Sequence, residues 1–282
     1  MNDNLVVLGG GESGIGAAYL ANKKGIKVFL SEKKMIDKKY KKILTENNID
    51  FEEGDHSLDK LLSATEIVKS PGIPDSSNLI NEIRRNNIPI ISEIEFASRF
   101  TNAKIIGITG SNGKTTTTSL IYHILKSSGF NVGVAGNIGN SFSFLIANTD
   151  FEYIVLELSS FQLDGVLTFK PHIAIITNLS PDHLERYKDN FENYINSKFN
   201  LVLNQVNTDY LIYNSDDVKI VSELIRRKIH SIKIPFSFSK TNFNNQVYIE
   251  KNIIKSEINK NKFMIPIESL SLKGNHNVQN SM

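Results

Sequence analysis

The sequence predicts an α/β protein of two domains built on mostly parallel sheets, and three observations carry that prediction. Short apolar runs alternate with helix-patterned segments, the alternation restarts after residue 92, and each half opens with a glycine-rich turn between a strand pattern and a helix pattern. A length of 282 residues with 40% hydrophobic content accommodates two compact cores.

The elements follow in order. Leu5 to Leu8 is a short apolar run, followed by a glycine-rich stretch, a helical pattern over Ala17 to Lys24 stopped by Gly25, and the apolar run Val28 to Leu30. That is a β-turn-α-β unit. The alternation continues through Ile67 to Lys69, the turn Ser70-Pro71-Gly72-Ile73-Pro74, a helix over Leu79 to Asn86 and the run Ile88 to Ile91, which closes a domain near Ser92. Glu93 to Arg99 reads as a helical connector with Ile94, Ala97 and Ser98 on one face and its charges on the others. Strand-like Lys104 to Thr109 then leads through a second glycine-rich turn into a helix from about Thr115, with Leu120, Ile121, Ile124 and Leu125 at core spacing before Gly129. Tyr153 to Leu158, His172 to Thr177 and Tyr210 to Tyr213 read as buried parallel strands. From Phe236 the pattern shortens to alternating segments such as Gln246 to Glu250 and Lys262 to Ile267, which predicts a small antiparallel appendage. The last residues, Asn277 to Met282, look like the opening turn of a helix, so a truncated chain is expected.

Composition narrows the function classes. Thirty-two Lys and Arg against 30 Asp and Glu leave no bulk field for a polyanion, so nucleic acid is not an expected partner and any anion site must be local. The Asn- and Lys-rich stretch from Lys240 to Lys262 lacks alternating aromatic platforms and reads as a solvated strand surface. Cysteine is absent, which removes disulfides and thiolate metal sites. No apolar run approaches the roughly 20 residues of a membrane span, so a soluble cytoplasmic protein with no membrane partner is expected, a monomer by default.

The sharpest motif is Ile108-Thr109-Gly110-Ser111-Asn112-Gly113-Lys114-Thr115-Thr116, at a strand-to-helix junction. Glycines let backbone N–H groups face a phosphate, the helix N-terminus adds positive potential, Lys114 supplies a point charge and the Thr115 hydroxyl can bind Mg²⁺. The segment reads as a triphosphate cradle of a P-loop NTPase-like domain, although Ile108 stands where the usual spacing would place the first glycine. In the first domain, Gly9-x-Gly11-x-x-Gly14 followed by Glu32 is formally a dinucleotide fingerprint on a Rossmann-like unit, a weak signal when taken alone. Read singly, Glu157 is equally a surface acid, His183 a polar loop residue, Lys198 a surface lysine, and Asn277 the cap of the next helix.

The shortened loop Thr-Gly-Ser-Asn-Gly-Lys-Thr resembles the ATP loop of the Mur ligases and their folylpolyglutamate-synthetase relatives. Asn137 in Gly136-Asn137-Ile138-Gly139, the run Leu156-Glu157-Leu158-Ser159-Ser160-Phe161-Gln162-Leu163, Asp182-His183-Leu184-Glu185-Arg186-Tyr187 and Lys198 fall in that family's order. Glu-Leu-Ser-Ser-Phe-Gln-Leu and Ser70-Pro71-Gly72-Ile73-Pro74 look like the D-glutamate-adding branch, and the resemblance extends over essentially the whole chain. It implies ATP-dependent amide formation between D-glutamate and UDP-N-acetylmuramoyl-L-alanine through an acyl phosphate, in cell-wall precursor synthesis. It implies a UDP-substrate domain over residues 1–92 and an ATP-binding central domain over residues 93–282, with the family's third domain missing and turnover impaired accordingly.

The same resemblance assigns roles. Lys114, Glu157, His183 and Lys198 would be catalytic. Gly110, Ser111, Asn112, Gly113, Lys114, Thr115 and Thr116 would hold ATP, with Asn277 and Asn280 on adenine or ribose. Thr115, Glu157, His183 and Lys198 would gather two Mg²⁺ ions, and carbamylation by CO₂ would turn Lys198 from a cation into an oxygen-bearing anion. Gly11, Glu12 and Ser13 would lie beside the uridine diphosphate, Ser31, Glu32 and Lys33 near base or ribose, and Ser70, Gly72, Asn137, Ser159 and Gln162 along the path to the alanyl carboxylate. This sequence departs from familiar members at Ser31 to Lys33. Three other readings differ in class: a Mur-type ligase adding L-alanine or a diamino acid, a nicotinamide oxidoreductase using only the first glycine turn, and a non-catalytic nucleotide-binding module.

Overall fold

The computed structural model describes residues 4–258 and 261–282. The N-terminal part of the chain runs β1 (Asn4–Leu8), α1 (Glu12–Lys23), β2 (Lys27–Glu32), α2 (Lys38–Glu46), β3 (Asp50–Glu53), α3 (Leu58–Leu62), β4 (Glu66–Lys69), α4 (Asn78–Arg85), β5 (Ile90–Ser92) and α5 (Glu93–Ser98). It continues with β6 (Lys104–Thr109), α6 (Lys114–Ser127), β7 (Val132–Gly136), α7 (Phe142–Ala147), β8 (Tyr153–Glu157), α8 (Ser160–Leu163), β9 (Ile173–Ile176), α9 (Phe191–Phe199), β10 (Tyr210–Asn214) and α10 (Val218–Arg226). The last elements are β11 (Ile232–Ser237), β12 (Gln246–Glu250), β13 (Ile253–Ile258), β14 (Asn261–Pro266) and α11 (Asn275–Asn280). Two compact units result, and neither is contiguous in sequence. The first comprises the chain through Ala103 with Gly133–Glu152 and Ser159–Phe169; the second takes Lys104–Val132, Tyr153–Leu158 and Lys170–Met282.

The first unit holds a five-stranded parallel sheet in the order β3-β2-β1-β4-β5, with Leu8 opposite Ser31 on one side and Lys69 on the other. The apolar runs of the central strands are buried on both faces, where Val6, Leu8 and Ile67 pack with Leu61, Ile80 and Ile83. Strand order reverses at β1, so the turns after β1 and β4 flank a crevice at the carboxyl ends of the strands, where open α/β sheets take ligands.

The structure places the start of α1 at Glu12, ahead of the Ala17 expected from pattern. Gly14 and Gly16 lie inside the helix despite their poor helix propensity. Close packing explains them: a Cβ on Gly14 would sit 1.9 Å from the Gly9 carbonyl oxygen, and one on Gly16 would sit 2.1 Å from Ser141 Oγ. The charges of α5 also differ from expectation. Glu93 and Glu95 are buried, where the connector reading had turned them outward.

In the second unit the strands run β14-β13-β12-β11-β10-β9-β6-β8, with β7, whose first residue belongs to this unit, at the edge. Strands β8, β6, β9, β10, β11 and β12 pair in parallel, and β12-β13-β14 form the antiparallel appendage. Ile106, Ile108, Val132, Val155 and Ile175 form the core beneath α6, and Phe236, Val247, Ile254 and Val278 form a second cluster where the appendage joins. Lys240 and Lys262 approach Glu257 at 3.6 and 3.9 Å, in line with a solvated strand surface. Among the described residues no helix is long and apolar enough to cross a membrane.

Candidate functional site

The second glycine turn leaves β6 at Gly110 and enters α6 through Gly113, and both glycines need positive φ, +146° and +82°. A side chain on Gly110 would be driven into Thr177, with its Cβ 1.9 Å from the hydroxyl oxygen. Residues after β9 brace the loop from outside. Ser111 N–H donates to the Asn178 carbonyl at 2.9 Å, Asn112 N–H to Asn178 Oδ1 at 2.9 Å, and the Thr177 hydroxyl to the Asn112 carbonyl at 2.6 Å. The Ser111 hydroxyl donates to the Ser180 carbonyl at 2.8 Å and lies 3.0 Å from Tyr194 OH. Burial pushes the Tyr194 phenol up to about 12, so it stays neutral.

Cations converge on the same loop. Lys114 Nζ donates to the carbonyls of Gly110 and Ser111, both at 2.8 Å, and Lys198 Nζ, on α9, reaches the Gly110 carbonyl at 2.7 Å. Lys198 is only 1% exposed and also lies over the Tyr194 ring, 4.6 Å from its centroid. Burial lowers the Lys114 ammonium below the ordinary lysine value, and the negative charges of Glu157 and Asp182 oppose that shift. Glu157 ends β8 fully buried, and its Oε2 accepts the Thr115 hydroxyl at 2.7 Å. Those two residues are thus paired as the sequence expects.

His183 lies on the exposed turn after β9. It adopts a left-handed backbone, φ 50°, is 56% exposed on its side chain, and lies 3.7 Å from Asp182 and 3.8 Å from Glu185. Among the described residues no three or more His, Cys, Asp or Glu side chains form a group able to hold a metal ion. The Thr115 hydroxyl and the Glu157 carboxylate are hard oxygen donors of the kind Mg²⁺ takes, and they lie together at the start of α6. Near α11, Asn280 Oδ1 sits against Gly113, 2.3 Å from where a Cβ there would be. Asn277 is not a cap: Gly274 precedes the helix, and Asn277 Nδ2 donates back to the Lys273 carbonyl at 2.9 Å. A mostly apolar cavity of about 220 Å³ opens beside the loop, lined by Thr117, Ile121, Ile175, Phe236 and Asn280 among others.

The first unit carries its own cavity, about 790 Å³, at the crevice between the turns after β1 and β4. Gly11, Glu12, Ser13, Glu32, Lys33, Ser70 and Gly72, all singled out from sequence, line it together with Lys34 and His56. Ser31 does not line it. That residue is wholly buried, with its hydroxyl 2.7 Å from both Glu52 Oε1 and His56 Nδ1. Glu32 is occupied by backbone, accepting Gly10 N–H at 2.6 Å and Lys34 N–H at 2.8 Å. Ser159 and Gln162 form a reciprocal capping box on α8, the local role open to them from sequence. Asn137 follows β7 in a turn where Gly136 N–H donates to the Asn140 carbonyl at 3.2 Å.

Sequence reasoning passed over Thr177, Asn178 and Tyr194, which hold the second loop, and His56, which lines the first cavity. Thr177 and Asn178 directly follow a strand that was recognised, so position past a strand end was an available signal. Tyr194 and His56 carried none.

Residues 108–282 match the model of the Mur ligase middle domain, and residues 5–79 match that of the MurD N-terminal domain. A UDP-N-acetylmuramoylalanine–D-glutamate ligase of Christiangramia forsetii is 50% identical over 282 residues, covering 100% of this chain and 63% of the relative. The enzyme of the same name from Bacteroides fragilis is 49% identical over 280 residues, covering 99% of this chain and 62% of the relative. The chain thus spans somewhat over three-fifths of the length of these curated relatives. Among solved structures, UDP-N-acetylmuramate:L-alanyl-gamma-D-glutamyl-meso-diaminopimelate ligase from Neisseria meningitides superposes with a TM-score of 0.65 at 18% identity, over 100% of this chain and 91% of that one.

Proposed function

This chain belongs to the Mur ligase family, and from that premise we propose that it carries the UDP-substrate and ATP-binding parts of a UDP-N-acetylmuramoyl-L-alanine:D-glutamate ligase. The relatives bearing that activity in their names cover the chain from end to end, which supports the D-glutamate branch over ligases adding L-alanine or a diamino acid. The proposed domain scheme assigns UDP-substrate binding to residues 1–92 and ATP binding to residues 93–282. The proposed setting is the cytoplasm, with a monomer as the working unit.

In the reaction, an oxygen of the alanyl carboxylate attacks the γ-phosphorus of ATP and ADP leaves; the amine of D-glutamate then attacks the acyl carbon, and phosphate departs as the amide forms. Two anions must approach each other in the first step, so positive charge has to be in place beforehand. Lys114 and the first turn of α6 supply it from this chain, with Lys114 held over its own loop by the Gly110 and Ser111 carbonyls. Thr115 and Glu157 would hold Mg²⁺, which supplies charge neutralisation between phosphate oxygens. His183 and a carbamylated Lys198 are proposed for a second ion, with Asn277 and Asn280 on the nucleoside. Gly11, Glu12, Ser13, Glu32, Ser70 and Gly72 are proposed to line the UDP end of the precursor, Ser31 to act from behind them, and Asn137, Ser159 and Gln162 to serve its amino-acid end.

The observation that carries this reading is the pairing of Thr115 with Glu157 at 2.7 Å beneath a glycine turn bridged by Lys114. Calorimetric titration of the chain with Mg-ATP, with UDP-N-acetylmuramoyl-L-alanine and with NADH tests it. Both of the first two should bind and NADH should not; binding of NADH with no response to the muramoyl precursor would replace the ligase reading with an oxidoreductase one. Mass spectrometry of the chain kept in bicarbonate should show the carbamate on Lys198, and an unmodified lysine under those conditions would remove the second-ion assignment.

A further inference from the structure

The 790 Å³ cavity of the first unit has a polar corner that the sequence did not flag. Glu52, one residue before the end of β3, collects three hydrogen bonds: Ser57 N–H at 2.8 Å and the Ser31 hydroxyl at 2.7 Å on Oε1, and the Ser57 hydroxyl at 2.6 Å on Oε2. Burial works to raise its carboxyl, but those bonds from Ser57 and Ser31 hold it below the usual carboxylate range. Glu52 is therefore ionised and only accepts. The Ser31 hydroxyl has a single proton, and Glu52 takes it. His56 Nδ1, 2.7 Å from the same hydroxyl oxygen, must then be the donor, because the alternative places a lone pair against a lone pair. This logic fixes the tautomer. In the neutral ring Nε2 carries a lone pair, and among the described residues it has no hydrogen-bond partner, while the ring lines the cavity.

Topology says which end of a nucleotide this corner meets. In the order β3-β2-β1-β4-β5, the glycine turn follows β1 at the reversal point, and His56 follows β3 at the edge of the sheet, two strands away. A diphosphate seated on the turn and on the start of α1 extends its nucleoside toward β2 and β3. The group reaching His56 is then the base, and a bare acceptor selects a base edge that offers N–H.

We infer that His56, set in its tautomer by Glu52 and Ser31, reads the base by accepting the imide N3–H of uracil at Nε2. The inference rests on the reading of this cavity as a UDP-substrate site. Cytosine presents a lone pair at that position and 3-methyluridine a methyl group, so both are rejected. Glu52 and Ser31 are positioning residues, and their removal lets the ring turn.

Isothermal titration of the chain with UDP, CDP and 3-methyluridine 5′-diphosphate is the test, with base selectivity as the readout. The wild-type chain should prefer UDP by about tenfold or more over both analogues, the cost of an unmatched acceptor. His56→Leu should bring the three ligands within about twofold of each other, and Ser31→Ala should move selectivity the same way by a smaller factor. Circular dichroism confirms that each variant is folded, and the wild-type ratio needs no variant at all. UDP binding with equal affinity for CDP and the methylated analogue overturns the inference while leaving the UDP-site reading standing. Absence of UDP binding overturns both.

Discussion

Two glycine turns, one in each unit, look alike in sequence and are built from opposite charges. In the first, the Glu32 carboxylate takes the Gly10 N–H at 2.6 Å, and Glu12 at the start of α1 accepts the Tyr40 hydroxyl and Ser141 N–H, each at 3.2 Å. In the second, two lysines place ammonium groups on the Gly110 carbonyl at 2.8 and 2.7 Å. The glycines differ in purpose as well. Gly14 exists because a helix passes too close to a carbonyl for any side chain, whereas Gly113 exists because the chain turns through positive φ. A glycine pattern therefore reports that backbone comes near something; the charged side chains bonded to that backbone decide what a turn can hold.

If packing is what fixes the first turn, Gly14→Ala should be the most damaging single change in that region. Its Cβ would meet backbone, which cannot rotate away as a flexible side chain can. A loss of about 3 kcal/mol is expected in urea unfolding of the chain. A loss below roughly 1 kcal/mol would show that the turn is adaptable and that the contrast between the two glycine roles is overdrawn. If charge is what fixes the second turn, Lys114→Ala should leave the fold intact and weaken Mg-ATP binding by on the order of a hundredfold. Equal nucleotide affinity in the variant would mean that backbone N–H groups alone suffice, which would make the two turns equivalent.

The third test concerns buried acids, which belong to the first unit's side of the contrast. Neighbours on α5 behave oppositely. Burial raises the Glu93 carboxyl to about 7, against the pull of Ser143 N–H, with the charge of Glu12 adding to the rise. Burial also works upward on Glu95, but the Thr168 hydroxyl and the N–H groups of Leu167, Phe169 and Thr168 outweigh it and hold that carboxyl below the usual range. For Glu93 the folded state keeps a proton that the unfolded chain releases from about pH 4.5. Stability should therefore fall as pH rises from there to about 7 and level off above it, by roughly 3 kcal/mol in all. Glu95 contributes the other sign, stability that is present above the unfolded carboxyl value and lost as pH drops through its lowered folded value. Glu93→Gln should remove the slope between those two limits and raise stability at pH 8. A wild-type chain that is equally stable at pH 5 and pH 8, a range above the one in which Glu95 acts, would show that Glu93 is not held in a dry site.

These two acids also show where sequence reading stopped. The β-turn-α-β units, the order of most strands and the phosphate loop were legible because apolar runs of period-free strand type, glycine turns and a helical face each leave a local trace. Thr115 and Glu157 were legible as partners because both lie at strand or helix ends that the pattern located. The buried acids were not, since a helical wheel assigns every Glu to solvent unless the acceptor's partners, here N–H groups up to 74 residues away, are known. The early start of α1 was hidden by the low helix propensity of Gly14 and Gly16, a local preference overridden by packing. Of the first cavity, the glycine turn after β1 was readable from its pattern, while Glu12, Ser13 and Ser70 entered only through the family resemblance. His56 was not, because its meaning comes from Ser31 and Glu52 on two neighbouring strands.

The smallest effect bears most directly on what the first turn is for. A dinucleotide fingerprint requires its acid, about 20 residues after the glycines, to be free for a ribose hydroxyl. Glu32 stands at that position, yet Oε2 accepts Gly10 N–H and Oε1 accepts Lys34 N–H. Glu32→Gln keeps one acceptor oxygen and turns the other into a donor, so one backbone N–H loses its partner and the remaining bond loses its charge. A stability loss of about 1 kcal/mol is expected, with at most a few-fold change in UDP affinity. The opposite pattern, unchanged stability with a hundredfold loss of nucleotide binding, would mean that Glu32 faces ligand and that the first turn works as the fingerprint reads. In that event the acids around it would be ligand contacts, and the difference between the two turns would lie in which part of a nucleotide each one grips.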